Sequence, residues 1–404
     1  MKPSSTSTSA DINLKERKVK EYRIGIAGPG KVAHLHAKAI GEIGNAVLSG
    51  VSSRSLSRAI SFASLYGASP YDDVGEMVRE ENLDLVIICT PHPNHLDPAL
   101  KALEAGAHLL VEKPLASTLR DCDDMIAAAA KAGLKLGVVS QRRWYPPTLR
   151  VKRAIDEGKI GKPVLGTVQM LGWRDEAYYR SDPWRGSWNM EGGGVMVNQA
   201  PHQLDLLSWL MGPAEELFGI WENLNHPYIE VEDTALAIIR FRSGALGNII
   251  LSNCQKPGIY GKIHVHGENG ATVGVQTEGG SMFIAGMTPI AEPPVNDLWT
   301  VSGEEKMLEG FIREDQELFD RIDPMVHFIR LQIEEFLDAL ETGRDPLVTG
   351  EDGRKTVELF TAVYRSARDR VPVKFPLEPE TSRSDFDGRL SGGGTNAQNR
   401  RTTP

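Results

Sequence analysis

Short apolar runs alternate with longer amphipathic stretches from Tyr22 to Val139, and this alternation constrains the fold more than any other feature of the chain. Each run is followed by a turn with Gly or Pro, and the run Leu85-Val-Ile-Ile-Cys89 carries no charged residue. Apolar strands separated by helices are typical of a parallel sheet covered by helices on both faces. The pattern predicts strands at 23–27, 46–51, 83–89, 108–111 and 135–139, and helices at 31–43, 57–66, 94–105 and 119–131.

A glycine-rich turn, Gly28-Pro-Gly30-Lys-Val-Ala33, joins the first predicted strand to the first predicted helix. It has the G-x-G-x-x-A form of the dinucleotide fingerprint. Gly28 permits the tight turn, Gly30 lets the backbone approach a pyrophosphate, and the small Ala33 lets the helix pack on the strand. The helix N-terminus, at Lys31 and Val32, would face the anion. The turn therefore predicts a Rossmann domain in which Gly28, Gly30, Lys31 and Val32 contact a dinucleotide.

The end of the second predicted strand discriminates between the two nicotinamide dinucleotides. It reads Val51-Ser-Ser53-Arg54 and carries no carboxylate to accept from a ribose 2′-hydroxyl. Small hydroxyls and a guanidinium suit a 2′-phosphate instead. Ser53, Arg54 and Arg58 therefore predict NADP(H) in preference to NAD(H). The alternative interpretation makes both arginines ordinary solvated charges.

The chain changes character after Gln141-Arg-Arg-Trp-Tyr-Pro-Pro147. Strands are predicted at 164–171, 234–241, 247–253 and 262–266 without a helix between every successive pair, which indicates a mostly antiparallel sheet. Helices predicted at 202–210, 324–341 and 354–368 would pack on one side of that sheet. We therefore expect an α/β Rossmann domain over 21–144, followed by an α+β domain over 145–375 with a large, mostly antiparallel open-faced sheet. Residues 1–20 and 376–404 are expected to be disordered tails.

Charge and cysteine content exclude several classes of partner. The formal net charge is −9 and the pI is about 5.7, so the chain repels nucleic acids and anionic membrane surfaces. No apolar run approaches the roughly 20 residues that span a bilayer. The three cysteines have neither metal-ligand nor disulfide-framework spacing. These features predict a cytoplasmic protein without a metal, without a nucleic-acid partner and without a membrane association.

Two further segments carry a family resemblance. The first is Glu112-Lys113-Pro114, and the second is Glu191-Gly-Gly-Gly-Val-Met-Val-Asn198-Gln-Ala-Pro-His202-Gln-Leu-Asp205. Over about residues 22–370 the sequence resembles the glucose–fructose oxidoreductase, inositol dehydrogenase and rhizopine catabolism protein (Gfo/Idh/MocA) family of nicotinamide-dependent oxidoreductases. The resemblance implies an active site in the cleft between the two domains.

The resemblance implies that Lys113 is the catalytic lysine and that His202 is the general acid/base. The chemistry agrees, because removing a hydride from a carbinol carbon requires loss of the hydroxyl proton, which an imidazole can accept. A lysine beside the nicotinamide can stabilise the charge that develops on the same oxygen. Taken singly, each residue also has an ordinary interpretation, Lys113 as a solvated strand end and His202 as a cap or core residue.

Asn198 is a departure from the family pattern, in which many members carry Asp four residues before the histidine. An amide can orient the imidazole or bind a substrate hydroxyl, but it cannot stabilise an imidazolium by charge. Asp205 could supply a carboxylate, or could serve packing or capping. In the Rossmann domain, Thr90, Pro91, His95, Glu112 and Lys113 are expected at the cofactor, at the carboxyl ends of the strands.

An aromatic and charged segment, residues 173–188, precedes the glycine run. Aromatic faces stack on the C–H faces of sugars while Arg, Asp and Asn bond their hydroxyls. The predicted substrate residues are Arg142, Trp173, Tyr178, Trp184, Arg185, Asn198, His202 and His327. The alternative is that the tryptophans simply fill a domain interface.

These observations predict an NADP(H)- or NAD(H)-dependent oxidoreductase that acts on a ring hydroxyl or ketone of a sugar, glycoside, sugar derivative or cyclitol. Two rivals stay open. One is a glycoside-cleaving enzyme that oxidises the sugar transiently, and the other is a non-catalytic regulator that senses a sugar or a dinucleotide. An open antiparallel sheet also predicts a homodimer or homotetramer formed through the C-terminal domain.

Overall fold

The computed structural model describes residues 20–256, 258–277, 293–381 and 385. The N-terminal region alternates strands and helices from β1 to β6. Its elements are β1 (Tyr22–Ala27), α1 (Lys31–Gly41), β2 (Ala46–Ser52), α2 (Leu56–Tyr66), β3 (Ser69–Tyr71), α3 (Val74–Glu81), β4 (Leu85–Ile88), α4 (Leu96–Glu104), β5 (His108–Val111), α5 (Leu119–Ala132) and β6 (Leu136–Val138). The predicted Rossmann architecture is confirmed.

The six strands of this region form one parallel sheet in the order β3-β2-β1-β4-β5-β6. The strand order reverses between β1 and β4, and this switch point opens a crevice at the carboxyl ends of the strands. The sequence analysis did not predict β3 or α3. β3 has three residues, includes Pro70 and lies at the sheet edge, so it lacks the continuous apolar run that marks the central strands.

The second region is built around a larger sheet. Its elements are α6 (Pro146–Asp156), β7 (Pro163–Leu171), α7 (Glu176–Arg180), α8 (Pro201–Met211), β8 (Ala214–Glu222), β9 (Thr234–Phe241), β10 (Leu246–Ser252), β11 (Tyr260–Gly267), β12 (Thr272–Thr277), β13 (Val295–Trp299), α9 (Leu308–Phe319), α10 (Pro324–Thr342), α11 (Gly350–Asp369) and β14 (Val373–Lys374). A short π-helix, Val195–Gln199, precedes α8.

The eight strands of the second sheet follow the order β13-β12-β11-β7-β10-β9-β8-β14. The sheet is mostly antiparallel, as predicted, and the exception is the parallel pair β7 and β10. α8 and α11 cover one face, where alternate residues of β9 such as Ala235 and Ile239 are buried. The opposite face is open and apolar, with Ile220, Leu236 and Ile238 exposed.

The placement of α10 corrects one prediction. The sequence analysis expects this helix on the antiparallel sheet, but it packs against α1 of the parallel-sheet region instead. Ile329 and Ile333 share a buried cluster with Ile24 and Ile26 of β1. Phe336 also lies so close to β6 that a Cβ at Gly137 would come within 2.7 Å of its ring. The helix is apolar on the side that completes the core of the Rossmann sheet, and this burial outweighs proximity in sequence.

The C-terminal boundary also differs from the prediction. Residues 376–381 were expected in a disordered tail, but Leu377 and Glu380 are buried. Leu377 N–H donates to Glu358 Oε1 at 2.6 Å, and the Arg120 guanidinium donates to the Glu380 carbonyl at 2.8 Å. The tail prediction is therefore wrong for these residues. The predicted tails at 1–19, 382–384 and 386–404 lie outside the described residues. No helix in the described part of the chain has the length and apolar character needed to cross a bilayer.

Candidate active site

A cleft of about 1630 Å³ runs along the carboxyl edge of the parallel sheet and continues to the second sheet. Its lining includes all but two of the predicted site residues. The predicted residues that line it are Gly28, Gly30, Lys31, Val32, Ser53, Arg54, Arg58, Thr90, Pro91, Glu112, Lys113, Arg142, Trp173, Tyr178, Trp184, Arg185, Asn198 and His202.

The glycine turn between β1 and α1 fits a dinucleotide pyrophosphate. Gly28 has a φ of +95°, and a Cβ there would lie 2.7 Å from Thr90 N, so the position requires glycine. At Gly30 a Cβ would meet nothing closer than Cys89 O at 4.0 Å, which leaves open cleft beside the backbone. α1 begins without a side-chain cap, so its first N–H groups can face an anion.

Glu112 holds the strand end that carries Lys113. Its Oε1 accepts from His36 Nε2 on α1 at 2.8 Å, and its Oε2 accepts from Lys113 N–H at 3.1 Å. Burial raises the pKa of Glu112, but the bond from His36 and the nearby positive charges outweigh it, and the net shift is downward. The sequence analysis missed this pair, because a histidine on α1 has no sequence signal that distinguishes it from a packing residue.

Lys113 and His202 line the same cleft from opposite domains. Lys113 Nζ donates to the Asn198 carbonyl at 2.9 Å, which brings the ammonium to the π-helix just before α8. His202 lies in the first turn of α8 and is buried. Burial is the largest cause that lowers the pKa of His202 well below its usual value, and the charges of Arg142 and Lys113 lower it further. The imidazole is therefore neutral at pH 7 and can accept a proton.

Glu191 is a carboxylate of this site that the sequence analysis missed. It is 1% exposed and accepts from Gly186 N–H at 2.5 Å and from the Asn198 side-chain amide. Its backbone carbonyl accepts from His92 Nε2. The signal available in the sequence was its position directly before three glycines, but the same pattern is also typical of an exposed turn.

The aromatic segment forms the far wall of the cleft. The Tyr178 hydroxyl accepts from the Arg185 guanidinium at 2.5 Å and from Gln199 Nε2 at 2.9 Å. The Arg185 guanidinium also lies 4.4 Å from the centre of the Trp184 ring. Lys31 Nζ is 3.9 Å from Asp182 Oδ2, so the glycine-turn helix contacts this wall directly. The segment combines aromatic faces with fixed hydrogen-bonding groups.

Two predicted site residues do not line the cleft. His95 is buried beneath the loop after β4, where its ring nitrogens face the carbonyls of Thr90 at 2.8 Å and Leu115 at 3.0 Å. His327 lies on α10 beside Arg330. The prediction placed His95 in the cleft because a position in a loop does not indicate which way the ring points. His327 lies outside the cleft because α10 presents Met325 and Ile329 to it instead.

Asp205 adopts the packing role that the sequence left open. Its carboxylate accepts two bonds from the buried Arg143 guanidinium, at 2.9 and 2.6 Å. It also accepts from the Ser140 hydroxyl. This paired arrangement joins α8 to the segment after β6 and leaves the Asp205 carboxylate directed at Arg143.

Known proteins resemble the chain over most of its length. Residues 22–140 match the family described as "Oxidoreductase family, NAD-binding Rossmann fold", and residues 148–273 match the GFO/IDH/MocA C-terminal domain. The crystal structure of the WlbA dehydrogenase from Bordetella pertussis in complex with NADH and UDP-GlcNAcA is 30% identical. It superimposes with a TM-score of 0.78 over 89% of this chain and 99% of that one.

Characterised relatives extend the similarity. The myo-inositol 2-dehydrogenase of Thermotoga maritima is 27% identical over 87% of this chain and 98% of its own length. The 1,5-anhydro-D-fructose reductase of Ensifer adhaerens is 28% identical over 85% of this chain and 96% of its own length. With both domains matched in order and a glycine turn shaped for a dinucleotide, the chain belongs to the GFO/IDH/MocA family of oxidoreductases.

Proposed function

We propose that this protein is a dehydrogenase or reductase that moves a hydride between a nicotinamide dinucleotide and a ring carbon of a sugar, sugar derivative or cyclitol. The observation that carries the proposal is the shared cleft. The Lys113 ammonium and the neutral His202 imidazole both line it, and the glycine turn lines its other end. The named activities of the inositol dehydrogenase and anhydrofructose reductase relatives support the substrate class.

Lys113 and His202 act on the same substrate oxygen in different ways. When bound, the dinucleotide supplies the hydride acceptor or donor. In the oxidation direction, His202 accepts the hydroxyl proton, because burial and two nearby cations keep its ring neutral. Lys113, held by the Asn198 carbonyl, donates a hydrogen bond to the oxygen and stabilises its developing negative charge. Asn198 contributes a neutral amide, which does not stabilise positive charge on His202 as a carboxylate would.

The cofactor proposal is NADP(H), with NAD(H) as the alternative. Ser53 and Arg54 line the cleft just after β2 and Arg58 lines it from the first turn of α2, and their donors and positive charge support a 2′-phosphate. Asp72 lines the cleft as well, and its carboxylate supports NAD(H), because it can accept from a ribose hydroxyl.

Three free thiols, at Cys89, Cys122 and Cys254, support a reducing compartment such as the cytoplasm.

The open face of the second sheet supports the proposed homo-oligomer. Ile238 is 65% exposed and Ile220 is 53% exposed on neighbouring strands, and apolar sheet faces of this kind are stable when another copy covers them. Replacing Ile238 with Glu should reduce the sedimenting mass to that of one 44.3 kDa chain. Leu65→Glu, at an exposed position of α2 outside this sheet, is the comparison and should leave the mass unchanged. An unchanged mass in Ile238→Glu would place the interface elsewhere.

A substrate panel tests the function. Purified protein is incubated with NADP⁺ or NAD⁺ and a set of aldoses, uronates, nucleotide sugars and inositols, and nicotinamide absorbance is followed. The proposal expects a net, substrate-dependent rise for at least one polyol. Glycoside cleavage without a net absorbance change would favour the transient-oxidation enzyme. Dinucleotide binding without turnover of any member would favour a regulator.

A further inference from the structure

Glu191 occupies an unusual position for a carboxylic acid. It directly precedes the three glycines that lead into the π-helix carrying Asn198. Its side chain is buried behind Asn198, and Asn198 itself lines the cleft. A buried carboxyl is costly unless hydrogen bonds compensate its charge, so its partners indicate its role.

Both oxygens of the Glu191 carboxylate accept hydrogen bonds. Oε2 accepts from Gly186 N–H at 2.5 Å, which ties the carboxylate to the aromatic segment. Oε1 accepts from Asn198 Nδ2. Because the backbone carbonyl of Glu191 also accepts from His92 Nε2, this one residue joins the loop after β4, the aromatic wall and the π-helix.

These contacts determine which way the Asn198 amide faces. Nδ2 donates to the Glu191 carboxylate and also lies 3.3 Å from the Tyr178 hydroxyl, which accepts from Arg185 and Gln199 as well. Turning the amide over would set Oδ1 against the Glu191 carboxylate, and two acceptors would then repel each other. The ionised carboxylate therefore selects the orientation that leaves Oδ1 for the cleft.

We propose that Glu191 is a positioning residue of the active site, which holds the Asn198 amide with Oδ1 directed at the substrate. Asn198 then accepts a hydrogen bond from a substrate hydroxyl. Glu191 thereby places a negative charge directly behind Asn198. The substrate part of this inference rests on the proposed function, whereas the orientation of the amide does not.

Protonation of Glu191 would remove this control. Burial raises its pKa to about 7, although bonds from Gly186 and Asn198 and the charges of Arg185 and Lys113 act in the opposite direction. Further titratable groups that interact with it are Tyr178, Tyr179 and Tyr364, whose own pKa values burial raises above the usual one. Below about pH 7 the acid gains an O–H donor, which favours Oδ1 of a reversed Asn198 amide. Substrate affinity and turnover should then fall.

Glu191→Gln tests the inference. Gly186 and Asn198 donate to different oxygens of the Glu191 carboxylate, and glutamine replaces one of these acceptors with an NH2 donor. We expect kcat/KM at pH 8 to fall about tenfold, as when a hydrogen bond to a charged group is lost. The pH dependence between about pH 6 and 8 should flatten. A variant with the wild-type pH profile would overturn the inference. Glu191→Asp, which keeps the charge, should retain the pH dependence.

Coupling to Asn198 separates positioning from a general structural effect. In an Asn198→Ala background, Glu191→Gln should lower kcat/KM by less than about twofold, because the amide through which Glu191 acts is absent. Glu232→Gln is the matched control. Glu232 is also buried and accepts from Gly194 and Met196 N–H in the same segment, but it has no bond to the Asn198 side chain. Glu232→Gln should lower kcat/KM by the same factor in the wild-type and Asn198→Ala backgrounds. If Glu191→Gln also lowers kcat/KM equally in both backgrounds, the inference is overturned.

A direct titration keeps the test independent of turnover. The infrared difference between wild type and Glu191→Gln reports ionisation of this one carboxyl. The carboxyl of wild type should titrate near pH 7 and that of Asn198→Ala at a higher pH, because the amide donor is lost. Identical titrations would contradict positioning of the amide. If no polyol in the panel reacts but the two titrations differ, the proposed function fails and the Glu191–Asn198 coupling stands.

Discussion

Replacing Lys113 with methionine should lower kcat about 10³-fold, a loss typical of removing a group that stabilises charge or transfers a proton in the transition state. Methionine keeps most of the apolar stem and removes the ammonium that donates to the Asn198 carbonyl at 2.9 Å. Steady-state assays on the best substrate of the panel measure the effect. Dinucleotide affinity should change far less, because the glycine turn and the start of α1 are untouched.

The control for this prediction is the same substitution at a lysine outside the chemistry. Lys135 lies just before β6, outside the cleft lining, and its ammonium pairs with Asp345 at 2.8 Å in an exposed contact. Lys135→Met should leave kcat within about twofold, as expected for a surface ion pair. The Lys113 variant should also raise the pKa of His202, because the lysine charge is one of the causes that lower it. Wild-type turnover in Lys113→Met would exclude the proposed role.

Arg54→Asp should reverse the cofactor preference. The change removes a guanidinium at the end of β2 and introduces a carboxylate, which repels a 2′-phosphate and can accept from a ribose 2′-hydroxyl. We expect the ratio of the dissociation constants for NADP⁺ and NAD⁺ to shift by at least about 100-fold toward NAD⁺. Calorimetric titration of both dinucleotides measures the ratio in each protein.

Arg54→Lys is the matched comparison, because it keeps the positive charge but loses the planar fork of the guanidinium. It should give an intermediate ratio. Tighter binding of NAD(H) than NADP(H) by the wild type would contradict the NADP(H) proposal and would direct attention to Asp72. A ratio that is unchanged in Arg54→Asp would show that this end of β2 does not meet the 2′ position.

Local sequence was sufficient for most of the elements that hold the cleft. The turn at Gly28 and Gly30 was predictable because a strand, a tight turn and a helix start are short-range features with residue-specific backbone demands. The central strands of both sheets were likewise recognisable from apolar runs and alternation. The three-residue β3 was not, because an edge strand with a proline has no such pattern.

The two misplaced histidines and the missed glutamate show where sequence reasoning stops. His95 and Glu191 are polar residues in loops, and a loop residue can point to solvent, to the cleft or beneath the chain. Glu191 is 1% exposed and accepts from Gly186 and Asn198, and these contacts appear only once the loop is folded. The prediction for His327 was wrong for a related reason, since α10 packs on α1 rather than on the second sheet.

The residue order specified two sheet regions, the glycine-rich turn between β1 and α1, and the candidate pair Lys113 and His202, because periodicity and turn chemistry act over a few residues. Packing established the rest: which face of the second sheet stays open, the Arg143 partner of Asp205, and the buried carboxylate behind Asn198. The first two features depend on contacts between segments far apart in the chain, and the third depends on how residues 186–198 fold against one another. The free energy of burying a polar group is set by neighbours that local sequence does not name.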